Sequence, residues 1–367
     1  MTHAFAELDG STLFYLALYV ATMVLHVVFM QYTFAGTIVV AVAAVRRRFA
    51  PGAQRDIVAL VARDWLPMAV SAAITAGIAP LLFVQLVYQQ AFYTANLLLF
   101  NRWMAILPVL IAAIYAMYLV KAKHVDDARV RFHRVVRPAA AVATAVLVAY
   151  VALAFVENHL VSLAPAKWTE MYANRQSMLA SPDVWVRLAM WAVASLPVFA
   201  ACAAWQLRLG ACGADDADRT TASRALAVIA LAGLVGDLVA AAAYGAIAPA
   251  FRAAAQGEAL ATGVALLGVA LAVFAWASVL RARVLARTML VLAGVGSLAT
   301  IAGMTVVREA MRIAALSGTS SAPHAPPASG GFAVFVLFAL IGIAVIAWIV
   351  REVARALARG ELVSNRG

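Results

Sequence analysis

The sequence predicts an all-α, polytopic membrane helical bundle, and three observations carry that expectation. Of 367 residues, 65% are apolar and 12% charged, with a mean hydropathy of +0.92, which leaves too little polar surface to wrap a soluble domain of this length. A hydrocarbon core of about 30 Å needs roughly 20 apolar residues per helix. Charge-poor runs of that order recur through the chain, at about 13–44, 65–98, 103–121, 138–160, 184–206, 225–247, 259–280, 288–310 and 332–350. The third observation is charge asymmetry. With nine spans, loops on one side hold 21 of the 28 Lys and Arg, among them Arg46, Arg47 and Arg48, Arg129, Arg131 and Arg134, and Arg351 and Arg355. That side is expected in the cytoplasm, with the N-terminus outside and the C-terminus inside. Residues 1–367 are thus expected to form a single integral-membrane domain, in the inner (cytoplasmic) membrane of a bacterium. The net charge of +11 is accounted for by these loops. The lipid bilayer is therefore the expected partner of the basic face, and no nucleic acid is.

Taken in order, the chain opens with acidic Glu7 and Asp9 and shows no basic leader with a small-residue cleavage site, so the first span is expected to stay. His26 falls on it. Counting about 1.5 Å per residue from the basic end places this histidine in the outer half of the bilayer. A satisfied interhelical hydrogen bond, an iron ligand and a proton relay all remain open for it. Residues 46–64 turn at Pro51-Gly52 and then alternate charge with apolar side chains, which suits a short surface helix. The second span carries Gly77 and Pro80, where a kink is expected. Beyond them Gln85, Gln89, Tyr93 and Asn96 recur at helical spacing with Tyr88 beside them. Amides and phenols in hydrocarbon need partners, so this seam is expected to face helices, a ligand or trapped water.

A tight turn at Asn101-Arg102-Trp103 leads to the third span, and the fourth ends in Glu157-Asn158-His159. The connection 161–183 holds Trp168, Met171, Tyr172 and Met178, which fits a headgroup-level belt or a short covering helix. Met190 follows on the fifth span as either core filler or a soft iron ligand. Asp237 is the one carboxylate deep within a span, and so a candidate for proton transfer or ligand contact, with Tyr244 as companion. Near the end of the eighth span Arg308 and Arg312 share a face, and Glu309 can neutralise one of them. Cys202 and Cys212 have neither metal-type spacing nor an external setting, and there is no nucleotide loop, zinc motif or nucleophile elbow.

Nine spans, an outer-half histidine on the first and the stretch GIAPLLFVQLVYQQAFYT resemble the subunit I superfamily of bd-type quinol oxidases. They look most like divergent bd-like membrane cytochromes that accompany periplasmic c-type cytochromes. The likeness covers the whole chain in topology, and the first two or three helices in wording. It implies haem b near the periplasmic face, quinone as substrate, and membrane or periplasmic partner subunits such as c-type cytochromes. His26 matches the helix-one iron ligand. The family's helix-five histidine falls near 187–190, where this chain offers Met190, so Met190 or His159 is left as the second ligand. Gln85, Tyr88, Gln89 and Tyr93 are implied as quinone contacts, Arg308 and Arg312 as further cofactor contacts, and Asp237 as the proton-handling group. The long quinol loop between helices six and seven is missing, since 248–258 alone connects them, and no G-R-Q-P-W block is present. The expected role is therefore an electron-transfer subunit, possessing no oxygen-reducing centre. A haem-free scaffold subunit and a secondary transporter using Asp237 are the competing readings; the latter would favour inverted repeats, which the sequence does not display.

Overall fold

The computed structural model describes residues 4–50, 56–122, 135–210 and 214–325, together with isolated helical positions between 337 and 355. The chain divides into two compact units at residue 324, and the bundle considered below is the first. All regular structure among the described residues is helical. Eight helices there are long and apolar enough to cross a membrane, which makes this a multi-pass membrane protein. The ninth expected span, 332–350, lies largely outside the described residues.

Helix α1, Gly10–Phe49, starts where Asp9 accepts from the Thr12 N–H at 3.0 Å and its Oγ at 2.8 Å, and ends in Arg46, Arg47 and Arg48. A capping carboxylate at the start and cations in the last turn both suit the helix dipole. The end of the bundle where α1 starts is called the upper end below, and the other the lower end. α2 (Ile57–Val87) is capped by Asp56, so residues 57–64 form its opening turns and not a separate surface helix. Pro67 and Pro80 lie inside this continuous helix, and the chain leaves helical geometry at Tyr88, with φ −121° and ψ 39°. Short helices α3 (Gln89–Leu98) and α4 (Phe100–Met104) then lead into α5 (Ile106–Lys121).

The remaining spans are α6 (Arg137–Ser162), α8 (Pro182–Arg208), α9 (Asp216–Ile247), α11 (Ala259–Ala282) and α12 (Arg287–Leu316). The short α7 (Trp168–Asn174) and α10 (Pro249–Gly257) connect them at the upper end. α1 is the central helix and packs against α2, α6, α8 and α12. Below the site the core is closed by Tyr32, Val61, Phe199, Leu207, Leu226, Trp276 and Leu290, interleaved with alanines that let the helices approach. Tyr32 ties α1 to α8 by donating to Gln206 Oε1 at 2.8 Å. α11 and α12 pack tightly at Gly268 and Gly296: a Cβ on Gly268 would sit 2.5 Å from the Gly296 carbonyl oxygen, so neither position accepts a side chain without separating the helices.

Buried polar bonds hold the upper connection in place. Glu157, fully buried on α6, pairs with Arg102 of α4 and accepts from the Met178 N–H at 2.9 Å. Trp168 donates its indole N–H to the Val161 carbonyl, and Trp185 donates to that of Leu179, both at 2.8 Å. Met178 and Met171 thus pack down on the ends of α3 and α6.

Candidate functional site

Within the upper part of the bundle lies a cavity of about 670 Å³, walled by α1, α2, α5, α6, α8, α9 and α12. That volume lies in the range of small-molecule and cofactor sites. Helical periodicity explains its lining: on α8, Arg187, Met190, Trp191, Ala194 and Val198 recur on one face, as Phe155, Asn158, His159 and Ser162 do on α6. His26, Met190, His159, Tyr88, Asp237, Arg308 and Arg312, scattered through the chain, all line it.

His26 is oriented by α2. Its Nδ1 is 2.9 Å from the Ala73 carbonyl oxygen, and a carbonyl only accepts, so the proton sits on Nδ1. Nε2 therefore keeps its lone pair and makes no hydrogen bond among the described residues. Gly77 makes this placement possible, because a Cβ there would lie 2.8 Å from His26 Cε1 and 2.9 Å from Nδ1.

About 10 Å higher along α1, at 1.5 Å per residue, Tyr19 marks a collar of cations. Arg308 donates to the Tyr19 hydroxyl, and its guanidinium lies 5.8 Å from the centre of that ring. Arg312 stacks 4.8 Å from the Tyr88 ring centre, approaches Glu309 at 3.4 Å and donates to His159 Nδ1 at 2.8 Å. Arg187, only 2% exposed, reaches the Tyr244 hydroxyl at 3.4 Å. Among the described residues Glu309, itself fully buried, pairs with Arg312, while Arg187 and Arg308 have no carboxylate partner. Unpaired buried charge costs several kcal/mol per ion, so an excess of this sign favours an anionic occupant.

The hydrogen-bond inventory points the same way. Among the described residues the Nε atoms of Arg187, Arg308 and Arg312 and His159 Nε2 are buried without an acceptor, and both Glu309 carboxylate oxygens are buried without a hydrogen-bond donor. Because His159 Nδ1 accepts from a guanidinium, which has no lone pair to offer, the neutral ring carries its proton on Nε2. His159 is therefore a hydrogen-bond donor into the cavity, an arrangement that leaves no lone pair on Nε2 for a metal. Met190 lines the same cavity one helical turn below Arg187. Asp237 lies roughly 10 Å deeper than Tyr244 along α9 and, among the described residues, makes no hydrogen bond or ion pair.

The Gln85, Gln89 and Tyr93 seam does not join this site. Tyr93 is 46% exposed and donates to Gln85 Oε1 at 3.3 Å, while Gln89 is exposed on the outside of the bundle. The departure from helix at Tyr88 turns Tyr88 inward and leaves the amides outside. Asn96 is satisfied separately by Asn158 at 2.7 Å. Conversely, Arg187 and Tyr19 are central here, yet sequence reasoning gave them no role. The available signal was an arginine set inside an apolar run on the same helix face as Met190.

The fold is that of a multi-pass membrane protein with a cation-rich cavity in its upper part. No protein-family model matches the chain, and a search of curated proteins finds none similar to it.

Proposed function

We propose that this chain is a membrane-embedded electron-transfer subunit that holds a b-type haem in the cavity and exchanges electrons between membrane quinone and periplasmic redox partners such as c-type cytochromes. The observation that carries the reading is the meeting, on one cavity, of an imidazole with a free Nε2 and three guanidiniums, of which Arg312 alone has a carboxylate partner among the described residues. The donor set fits the group. His26 would be the axial ligand, its Nδ1–H held by the Ala73 carbonyl in the way that second-shell acceptors orient ligating histidines. Arg187 and Arg308, which have no carboxylate partner among the described residues, would take the two propionates, while Arg312 remains paired with Glu309. Met190 is the soft side chain available for the opposite position.

Bound there, haem supplies reversible one-electron transfer. His26 would fix its position, and the arginine collar would neutralise its carboxylates. Quinol oxidation releases protons with its electrons, and Asp237, which makes no hydrogen bond or ion pair among the described residues, would accept one. The full topology in this reading is nine spans, with the upper end periplasmic and the basic lower end cytoplasmic in a bacterial inner membrane. The chain would serve as the quinol-interacting subunit of an oxidoreductase.

The test is a reduced-minus-oxidised spectrum of the purified, detergent-solubilised chain from haem-replete cells, with a pyridine haemochrome assay. A b-type α band at about one haem per chain, lost in His26→Ala, is expected. A well-folded preparation without haem would overturn the reading.

A further inference from the structure

The cavity has a side entrance. Ile74 and Ile78 of α2 and Met104 and Leu107 at the α4–α5 junction line it, yet they are also exposed on the outer surface of the bundle, Ile78 by 54% and Leu107 by 67%. α2 and α5 are successive spans, but α5 packs mainly on α6 and touches α2 far less. In a bilayer this mouth opens into acyl chains and not into water, because every residue of its rim is apolar. Trp103, Phe155 and Leu110 line the passage inward from the mouth. At its far end the half-buried His159 carries a buried Nε2–H that finds no acceptor among the described residues.

An apolar side door leading to an orphaned donor suits a ligand with a long hydrocarbon tail and an acceptor oxygen at its head. We infer that the mouth between α2 and α5 admits a lipid-soluble quinone, one ring oxygen accepting from His159 Nε2–H and the tail lying between Ile78 and Leu107. This rests on the quinone half of the proposed function and not on haem. It also relocates the quinone from the outward-facing Gln85, Gln89 and Tyr93 face to the interior. A quinone is preferred to a long-chain carboxylate because the group without an acceptor at the end of the passage is a neutral N–H, and the guanidinium beside it, Arg312, is already paired with Glu309.

The experiment uses the full chain in lipid nanodiscs, after its haem content has been measured, and a photoreactive azido-benzoquinone with a decyl tail. Saturable labelling within 103–110 and 155–159, competed by unlabelled decyl-benzoquinone but not by decanoate, is expected. Leu107→Trp fills the mouth from an exposed position that the fold does not depend on, and should weaken labelling by about tenfold. Labelling confined to 85–96, insensitivity to both Leu107→Trp and Ile78→Trp, preferential competition by decanoate, or no saturable labelling would each overturn the inference. A chain without haem that still labels at the mouth would sink the haem reading alone; a haem-loaded chain that does not label would sink this one alone.

Discussion

Replacing Gly77 by alanine should damage the site through His26, and the structure permits an estimate of the cost. The new Cβ would stand 2.8 Å from Cε1 and 2.9 Å from Nδ1 of the imidazole. Ordinary contact begins near 3.4 Å, so ring or helix must retreat by roughly 0.6 Å. The same displacement stretches the 2.9 Å approach of Nδ1 to the Ala73 carbonyl beyond useful hydrogen-bonding distance. Loss of that bond costs about 1 kcal/mol and the overpacking about 1–3 kcal/mol, while alanine's better helix propensity returns up to about 1 kcal/mol. A net destabilisation of about 1–3 kcal/mol is therefore expected. Equilibrium unfolding of the detergent-solubilised chain would measure it, combined with His26→Ala in a double-mutant cycle. If the clash is the cause, most of the cost disappears in the His26→Ala background. A Gly77→Ala variant that loses less than about 0.5 kcal/mol, or one whose cost is unchanged without the imidazole, would refute the reasoning.

Other perturbations test the remaining parts of the upper bundle. Arg187→Met removes a buried cation that has no carboxylate partner, so the ligand-free chain should be unchanged or more stable by up to about 3 kcal/mol, whereas Glu309→Gln, which strands Arg312, should cost about 3–5 kcal/mol in the same unfolding assay. Glu157→Gln weakens both the Arg102 pair and the Met178 N–H bond, so hydrogen exchange should accelerate through 164–181 while the lower core stays protected. At the start of α1, the Thr12 N–H and hydroxyl hold the Asp9 carboxyl below the usual carboxylate range. A group with a lowered folded pKa stabilises above its unfolded value of about 3.9 and loses that contribution as pH falls through the folded value. Exchange at the first amides of α1 should therefore rise only in that acid window, and Asp9→Ala should abolish the step.

The parts of this molecule legible in the sequence are those governed by one run of residues at a time. Bilayer thickness and the cost of unpaired backbone polar groups dictate long apolar helices, and eight appear among the described residues close to where hydropathy puts them. Polar side chains within such runs were equally visible, which is why His26, His159, Met190, Asp237, Arg308 and Arg312 could be singled out. Their convergence on one cavity, the choice of Tyr88 over its neighbouring amides, and the entry of Arg187 and Tyr19 belong to the tertiary structure. A one-residue departure from helix at Tyr88 rotates everything after it, and no local propensity announces it, since Gly77 and Pro80 are the stronger breakers and the helix passes through both. Likewise Arg308 finds Tyr19 across 289 positions of sequence. Hydropathy acts on each span independently and so determines that a segment crosses the membrane; which face it turns inward depends on the volume and charge of every other helix around it, and only the packed bundle decides that.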